Sequence, residues 1–296
     1  MLAYKDSSVK KGEVLSGSCA ASKLEQPPVP KVTELRAERG SPSVKVIAFY
    51  RFVALTELDG HRHYFKDLCL RLGMKGTILL SLEGINSTVV GTPQAIDEFQ
   101  EVLAKHPIWK GLEFKESYCY KVPFTRMLVK LKKEIIPIGD LEIKPSEWTA
   151  PRLSPLELKR WLDEGREITL VDTRNQYEID HGTFENALNL GLDHFREIPA
   201  KLEALPDDVK ARPMVMFCTG GIRCEKASVV AYQKGIKDVF QLDGGILKYF
   251  EQCGDSHYKG DCFVFDYRIA IDPQLQPVDL KTVNLQSVNY EPLNRI

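Results

Sequence analysis

The run Met214-Val215-Met216-Phe217-Cys218-Thr219-Gly220-Gly221-Ile222-Arg223-Cys224 constrains this chain more than any other. Its apolar opening reads as a short buried strand, its glycine pair as a tight loop, and Glu225 to Lys234 as a helix. That succession puts Cys218 at the end of a strand, facing backbone amides that the first helical turn leaves unpaired. Such amides curl into an anion nest. A thiol held there has a depressed pKa and is a better nucleophile near neutrality. Thr219, Gly220, Gly221, Ile222 and Arg223 are the expected cradle for an anion or adduct, with Arg223 adding a positive charge. The plainer alternative is a buried cysteine beside an ordinary turn. The coincidence of Cys, two Gly and Arg at a strand-to-helix turn weighs against it.

Four residues separate Cys218 from Arg223. The loop resembles that of a rhodanese domain, whose cysteine carries sulfur as a persulfide. Related phosphatases on that fold have one residue more, a wider cradle suited to phosphate. Ile168 to Arg174, with Tyr177-Glu178 and His181-Gly182 after it, resembles the first strand and loop of the same fold. Val239 to Ile246 resembles its closing strand and turn. The resemblance implies an α/β domain with a central parallel sheet. Asp172 and Arg174 are expected to brace the active loop, Glu178 to shape it, and His181 to sit in a turn without acting as a base.

Length allows two domains with ordinary cores. A net charge of −1 means that any nucleic-acid binding must come from a local patch. Seven cysteines without a CxxC pair argue against a disulfide framework or a zinc site and suit a reducing cytoplasm. No apolar run is long enough to span a bilayer. Residues 1–43 read as a flexible extension, with Gln26-Pro27-Pro28-Val29-Pro30 and Arg39-Gly40-Ser41-Pro42 marking breaks and no secretory core at the start. The segments that follow are a first domain at 44–145, the rhodanese-like domain at 146–255 and a C-terminal extension at 256–296, polar from Asp272 onward.

Within 44–145 the periodicities alternate between two and near four. Strands are expected at 44–53, 76–82, 87–90, 113–122 and 126–136, with helices at 63–72 and from Pro93. The order β-α-β-β-α-β is that of a ferredoxin-like, or acylphosphatase-like, α+β domain whose helices cover one sheet face. Arg126, Lys130 and Lys132 alternate with apolar Met127, Val129 and Leu131 and therefore share the other face. With Lys121 nearby they form a candidate RNA-contact patch, and Tyr118 and Tyr120 could stack on unpaired bases. A solvated strand face and ordinary strand packing are the alternatives.

Taken together, Gly76 to Asn86, Cys218 to Lys226 and Gly260 to Asp266 resemble the rhodanese-domain tRNA uridine hydroxylases. The resemblance covers roughly residues 44–271. It implies oxygen-dependent 5-hydroxylation of the wobble uridine (position 34), with O2 as co-substrate and no other evident cofactor. It implies tRNA as partner through its anticodon stem-loop, a cytoplasmic enzyme, and Cys218 as the catalytic position. Many members carry a cysteine-rich C-terminal segment; here only Cys262 is present, so no metal is expected. Cys224 is either a resolving thiol or a packed helix thiol. A plain sulfurtransferase using thiosulfate or a persulfide donor is the main alternative, and a non-enzymatic adaptor the second.

Overall fold

Two five-stranded sheets organise the residues that this computed structural model describes, 44–139 and 143–278. The expected N-terminal extension and the tail beyond 278 lie outside the described residues. The first sheet belongs to β1 (Val44–Phe52), α1 (Leu58–Arg71), β2 (Lys75–Ser81), β3 (Gly84–Gly91), α2 (Pro93–Lys105), β4 (Lys115–Cys119) and β5 (Met127–Leu131). Its order is β4-β1-β3-β2-β5, antiparallel except that β5 joins β2 in parallel. This is the expected split βαβ arrangement with one parallel strand added at its edge.

Local chemistry explains which boundaries were legible. Thr92 accepts a hydrogen bond from the Ala95 amide at 3.2 Å and Pro93 opens α2, a readable start. By contrast α1 begins at Leu58, earlier than its apolar stripe indicates. Its N-cap Glu57 is left-handed and makes no side-chain cap bond, so no capping residue marks the start. The strand period of two then divides the sheet. Ile47, Phe49, Ile78, Leu80, Ile85 and Val89 pack with Phe65, Phe99 and Trp109 beneath the helices. Ala48, Tyr50, Thr77, Leu79, Asn86 and Thr88 face the other way and line a cleft.

The second sheet follows from β6 (Arg152–Leu153), α3 (Pro155–Asp163), β7 (Thr169–Asp172), α4 (Gln176–Ile179), β8 (Gly182–Phe184) and β9 (Leu188–Asn189). After these come α5 (Ile198–Glu203), α6 (Asp207–Lys210), β10 (Met214–Phe217), α7 (Ile222–Gln233), β11 (Val239–Leu242) and α8 (Gly245–Cys253). The order β6-β11-β10-β7-β9 is wholly parallel. Both faces are covered, which is why β10 is apolar throughout. Met214 and Met216 pack with Ala227 and Val230 of α7, while Val215 and Phe217 pack with Leu158, Ile246 and Tyr249 of α3 and α8.

The chain after 255 behaves differently from a separate extension. Strands β12 (Tyr258–Gly260), β13 (Cys262–Phe263) and β14 (Ala270–Ile271) follow α8, and β12 pairs with β8. Tyr258, Cys262, Val264 and Ile271 belong to the same apolar cluster as Phe217. Phe184 meets Phe217, Tyr249 and Tyr258 edge-on, with ring centroids 4.9, 4.7 and 5.2 Å away. Each such contact adds about 0.5–1.5 kcal/mol beyond burial. The segment then reaches the first sheet, where Arg268, paired with Asp266, donates to Ser117 Oγ at 2.7 Å.

Candidate active site

Cys218 follows the last residue of β10, and the loop after it turns directly into α7. The Gly221 amide donates to Cys218 Sγ at 3.1 Å, and the Arg223 amide also bonds to the sulfur. Gly221 holds φ at 99°, and a Cβ there would lie 3.0 Å from the Tyr50 hydroxyl, so glycine serves both backbone and neighbour. The loop is pinned from outside by α8. Ile246 and Leu247 donate their amides to the carbonyls of Cys218 and Thr219 at 3.0 and 3.1 Å. Gly245 makes that approach possible, since a Cβ there would sit 2.4 Å from the Cys218 carbonyl oxygen. With its carbonyls occupied by α8, the loop turns amides toward the sulfur.

Burial acts to raise the Cys218 pKa. A hydrogen bond from the Cys224 thiol, the Arg223 charge and the two loop amides outweigh it and bring the thiol well below its usual range. The other described cysteines go the opposite way. Burial pushes Cys69 and Cys262 up to about 12 and also raises Cys119, Cys224 and Cys253. Cys224 therefore remains a protonated donor to Cys218 rather than a second thiolate. Its sulfur stands 3.7 Å from Thr173 Oγ1, whose hydroxyl donates to the Phe217 carbonyl at 2.9 Å.

Arg223 and Glu178 form a buried bidentate pair, with Nη2 to Oε2 at 2.7 Å. The guanidinium is thus held by a carboxylate, which limits its use as an adduct-binding group. Asp172 and Arg174 form a second buried pair, Nη2 to Oδ2 at 2.6 Å. Their further bonds run to the Gly182 carbonyl and from the Thr183 hydroxyl, so they fix β8 and not the cysteine loop. Thr173, between them, ties β7 to the end of β10 and to Cys224 of α7, the residues that flank the loop. The expected bracing lies one residue away because β7 alternates, aiming Asp172 and Thr173 to opposite sides. His181 is placed in the turn before β8, its ring tilted against Phe263 and its pKa lowered by burial.

The open face of the first sheet roofs this loop. A cavity of about 380 Å³ is lined by Tyr50, Leu79, Asn86, Lys115 and Lys132 on one side and by Cys218, Thr219 and Arg223 on the other. Phe265 lines it as well, bringing the Gly260–Asp266 segment into the site. Three residues after Arg223, Lys226 is buried and pairs with Glu83 at 2.8 Å and Glu134 at 2.7 Å, both in the first domain. Glu225 accepts from Tyr50 Oη at 3.0 Å and from Arg152 at 2.7 Å. Cys-Glu-Lys on α7 and Glu83 beside β3 are therefore two halves of one interface. Among the described residues, no group of three or more His, Cys, Asp or Glu side chains converges as a metal site would.

Family comparison agrees with this architecture. The UPF0176 acylphosphatase-like domain matches residues 44–135, and the rhodanese-like domain matches residues 154–252. A Burkholderia mallei protein named tRNA uridine(34) hydroxylase is 48% identical over 240 residues, covering 78% of this chain and 80% of that protein. One from Burkholderia cenocepacia with the same name is 47% identical over 242 residues, covering 79% and 85%. The chain belongs to the tRNA uridine(34) hydroxylase family. A solved human single-domain sulfurtransferase is 28% identical, covering 35% of this chain and 97% of that one, at a TM-score of 0.29.

With family and fold in hand, the candidate RNA-contact residues divide. Met127, Val129 and Leu131 pack toward the helices, so Lys130 and Lys132 take the open side. Lys130 feels the charges of Lys132 and Arg126, which, after burial, lower its pKa. Lys121 does not join them. Its carbonyl accepts from Cys119 of β4, and β4 and β5 are opposite edges of the sheet, about 19 Å apart at strand spacing. Tyr118 pairs with Lys45, on the side away from the cleft, and exposed Tyr120 follows at that same edge. Sequence proximity misled here because the 120–126 connection crosses the sheet. Tyr50, Lys115, Thr173 and Lys226 were not singled out; of these, Thr173 and Lys226 had carried a signal, each within a family-like run.

Proposed function

We propose that this protein hydroxylates uridine 34 of tRNA at C5, with Cys218 as the nucleophile. The observation that carries the reading is a depressed thiol on the floor of a cavity that the first domain's open sheet face closes. A rhodanese loop acting alone on thiosulfate or a carrier needs no such roof. The cavity falls within the usual 300–1,000 Å³ or so of small-ligand sites and has room for one nucleotide. Presenting a base there requires taking it out of the anticodon stack, which costs least in a single-stranded loop.

In this reading the thiolate, or a persulfide built on it, adds to C6 of uracil and raises electron density at C5. Covalent addition of this kind divides a hard step into easier ones. C5 then takes one oxygen atom from O2. The second atom leaves as water, with two electrons and two protons from a reductant, and loss of the C5 proton to solvent as sulfur leaves C6 restores the C5–C6 double bond. Lys132 lines the cavity, and with Arg126 and Lys130, whose charges act on one another, it suits the phosphates of the stem-loop. No described helix is long and apolar enough to cross a membrane, and work on tRNA fits a cytoplasmic enzyme. Sulfur transfer is the second reading, favoured by the rhodanese-like match over 154–252.

Purified protein, tRNA lacking the modification, reductant and ¹⁸O2 separate the two. The expected result is 5-hydroxyuridine bearing one ¹⁸O, detected by nucleoside mass spectrometry and absent with Cys218→Ser. Hydroxylation retained by Cys218→Ser would remove the covalent step. Thiocyanate formation from thiosulfate and cyanide without any hydroxylation would favour sulfur transfer.

A further inference from the structure

Negative charge collects at Cys218, yet the loop's own arginine is already neutralised by Glu178. Resting on the hydroxylase reading, we propose that Lys115 is the cation that faces Cys218 across the cavity and stabilises negative charge as it passes from sulfur to the uracil ring. The placement follows from register. Lys115 opens β4, pairs with Ala48 of β1 and stands on the open face. Its ammonium lies 4.8 Å from the centroid of the Tyr50 ring. Tyr50 is itself fixed, its hydroxyl bonded to Glu225 and set against Gly221 of the active loop. Lys115 and Cys218 line the same cavity.

No carboxylate lies within ion-pair distance of Lys115 among the described residues. Burial lowers its pKa, and Arg152 adds to that effect, while Glu113, Cys218 and Asp243 oppose it from a distance. The groups facing Cys218 are Cys224 and Arg223 of α7 and, from the first sheet, Tyr50 and Lys115. A half-buried ammonium without a counterion loses part of its hydration, and an anion arriving in the cavity offsets that loss.

The step it serves balances without a co-reactant. The thiolate electron pair forms the Sγ–C6 bond, the C5–C6 π pair moves into an enolate, and the charge leaves sulfur for O4. Lys115 keeps its proton throughout. Its contribution is a positive charge already in place on the cavity wall when the anion forms.

The test uses the full chain as wild type, Lys115→Met and Lys115→Arg, with Lys115→Gln standing in should the methionine variant melt early. Cys218 alkylation by iodoacetamide is followed against pH by peptide mass spectrometry, a readout that needs no hydroxylation. In Lys115→Met the midpoint should lie about one unit higher, slowing reaction up to about tenfold at pH below both midpoints and little at neutral pH, with Lys115→Arg within about twofold of wild type throughout. For 5-hydroxyuridine formation, kcat should fall about tenfold or more in Lys115→Met while KM for tRNA stays within about twofold. An unchanged alkylation midpoint, or a KM that rises with kcat intact, would overturn the proposal and make Lys115 a phosphate contact. If wild type shows the low midpoint but forms no 5-hydroxyuridine, the hydroxylase reading fails instead, and the alkylation arm alone decides whether Lys115 supports the thiolate.

Discussion

The two sheets handle the same constraint in opposite ways. The parallel sheet is buried on both faces and leaves only the ends of its strands for chemistry, so the nucleophile sits where β10 runs out. The antiparallel sheet covers one face with helices and offers the other as a flat wall. A strand end can hold one reactive atom within a ring of amides but cannot enclose a nucleotide. A sheet face can enclose a nucleotide but has no amides free to activate a thiol. The site exists where one meets the other, and α7 joins them: Arg223 is held within its own domain by Glu178, Lys226 by Glu83 and Glu134 of the other.

Breaking those two anchors should give unequal results. Glu178→Gln strands a buried arginine and should cost about 3–5 kcal/mol in urea unfolding, as removal of one partner from a buried pair does. Lys226→Met should cost less, about 2 kcal/mol, because Glu83 and Glu134 are partly exposed (22% and 18%) and recover some hydration. It should also split unfolding into two transitions as the first domain uncouples. Equal costs, or a single transition for Lys226→Met, would mean that α7 does not join two separable units.

The contrast between thiols sharpens the same point through pH. Because the folded Cys218 pKa is depressed, its thiolate persists as pH falls below the ordinary thiol range, and its alkylation rate should stay nearly flat from about pH 8 to 7. Cys262, its pKa pushed up to about 12 by burial, should slow about tenfold for each unit of pH lost over that interval. Parallel pH profiles at the two positions would contradict the nest as the source of activation. A smaller effect is expected at the cavity mouth. Lys130→Glu with Lys132→Glu should weaken tRNA binding several-fold at low salt and flatten the salt dependence. Unchanged low-salt affinity would take the patch out of the binding surface.

Much of this was legible because it is local. Met214 to Arg223 states a strand, a loop and a helix start within a few residues, and strand alternation alone gave the facing of Lys130 and Lys132. What escaped notice joins residues far apart in the chain. Tyr50 meets Glu225 across 175 positions and Lys226 meets Glu83 across 143, separations no periodicity encodes. The reach of Lys121 and Tyr118 was misjudged for a related reason, since neighbours along the chain became opposite edges of one sheet. Segment 258–271 read as an appendage because its strands are too short to show a period, yet it completes the core and supplies Phe265 to the cavity.

The most direct test of the central claim is 5-hydroxyuridine and its derivatives in cellular tRNA, measured by nucleoside mass spectrometry. The strain should lack this protein and any redundant route, and be restored with wild type or Cys218→Ala at matched levels of folded protein. Restoration by wild type alone is the predicted result. Restoration by both would remove Cys218 from the chemistry, and restoration by neither would contradict hydroxylation as the function.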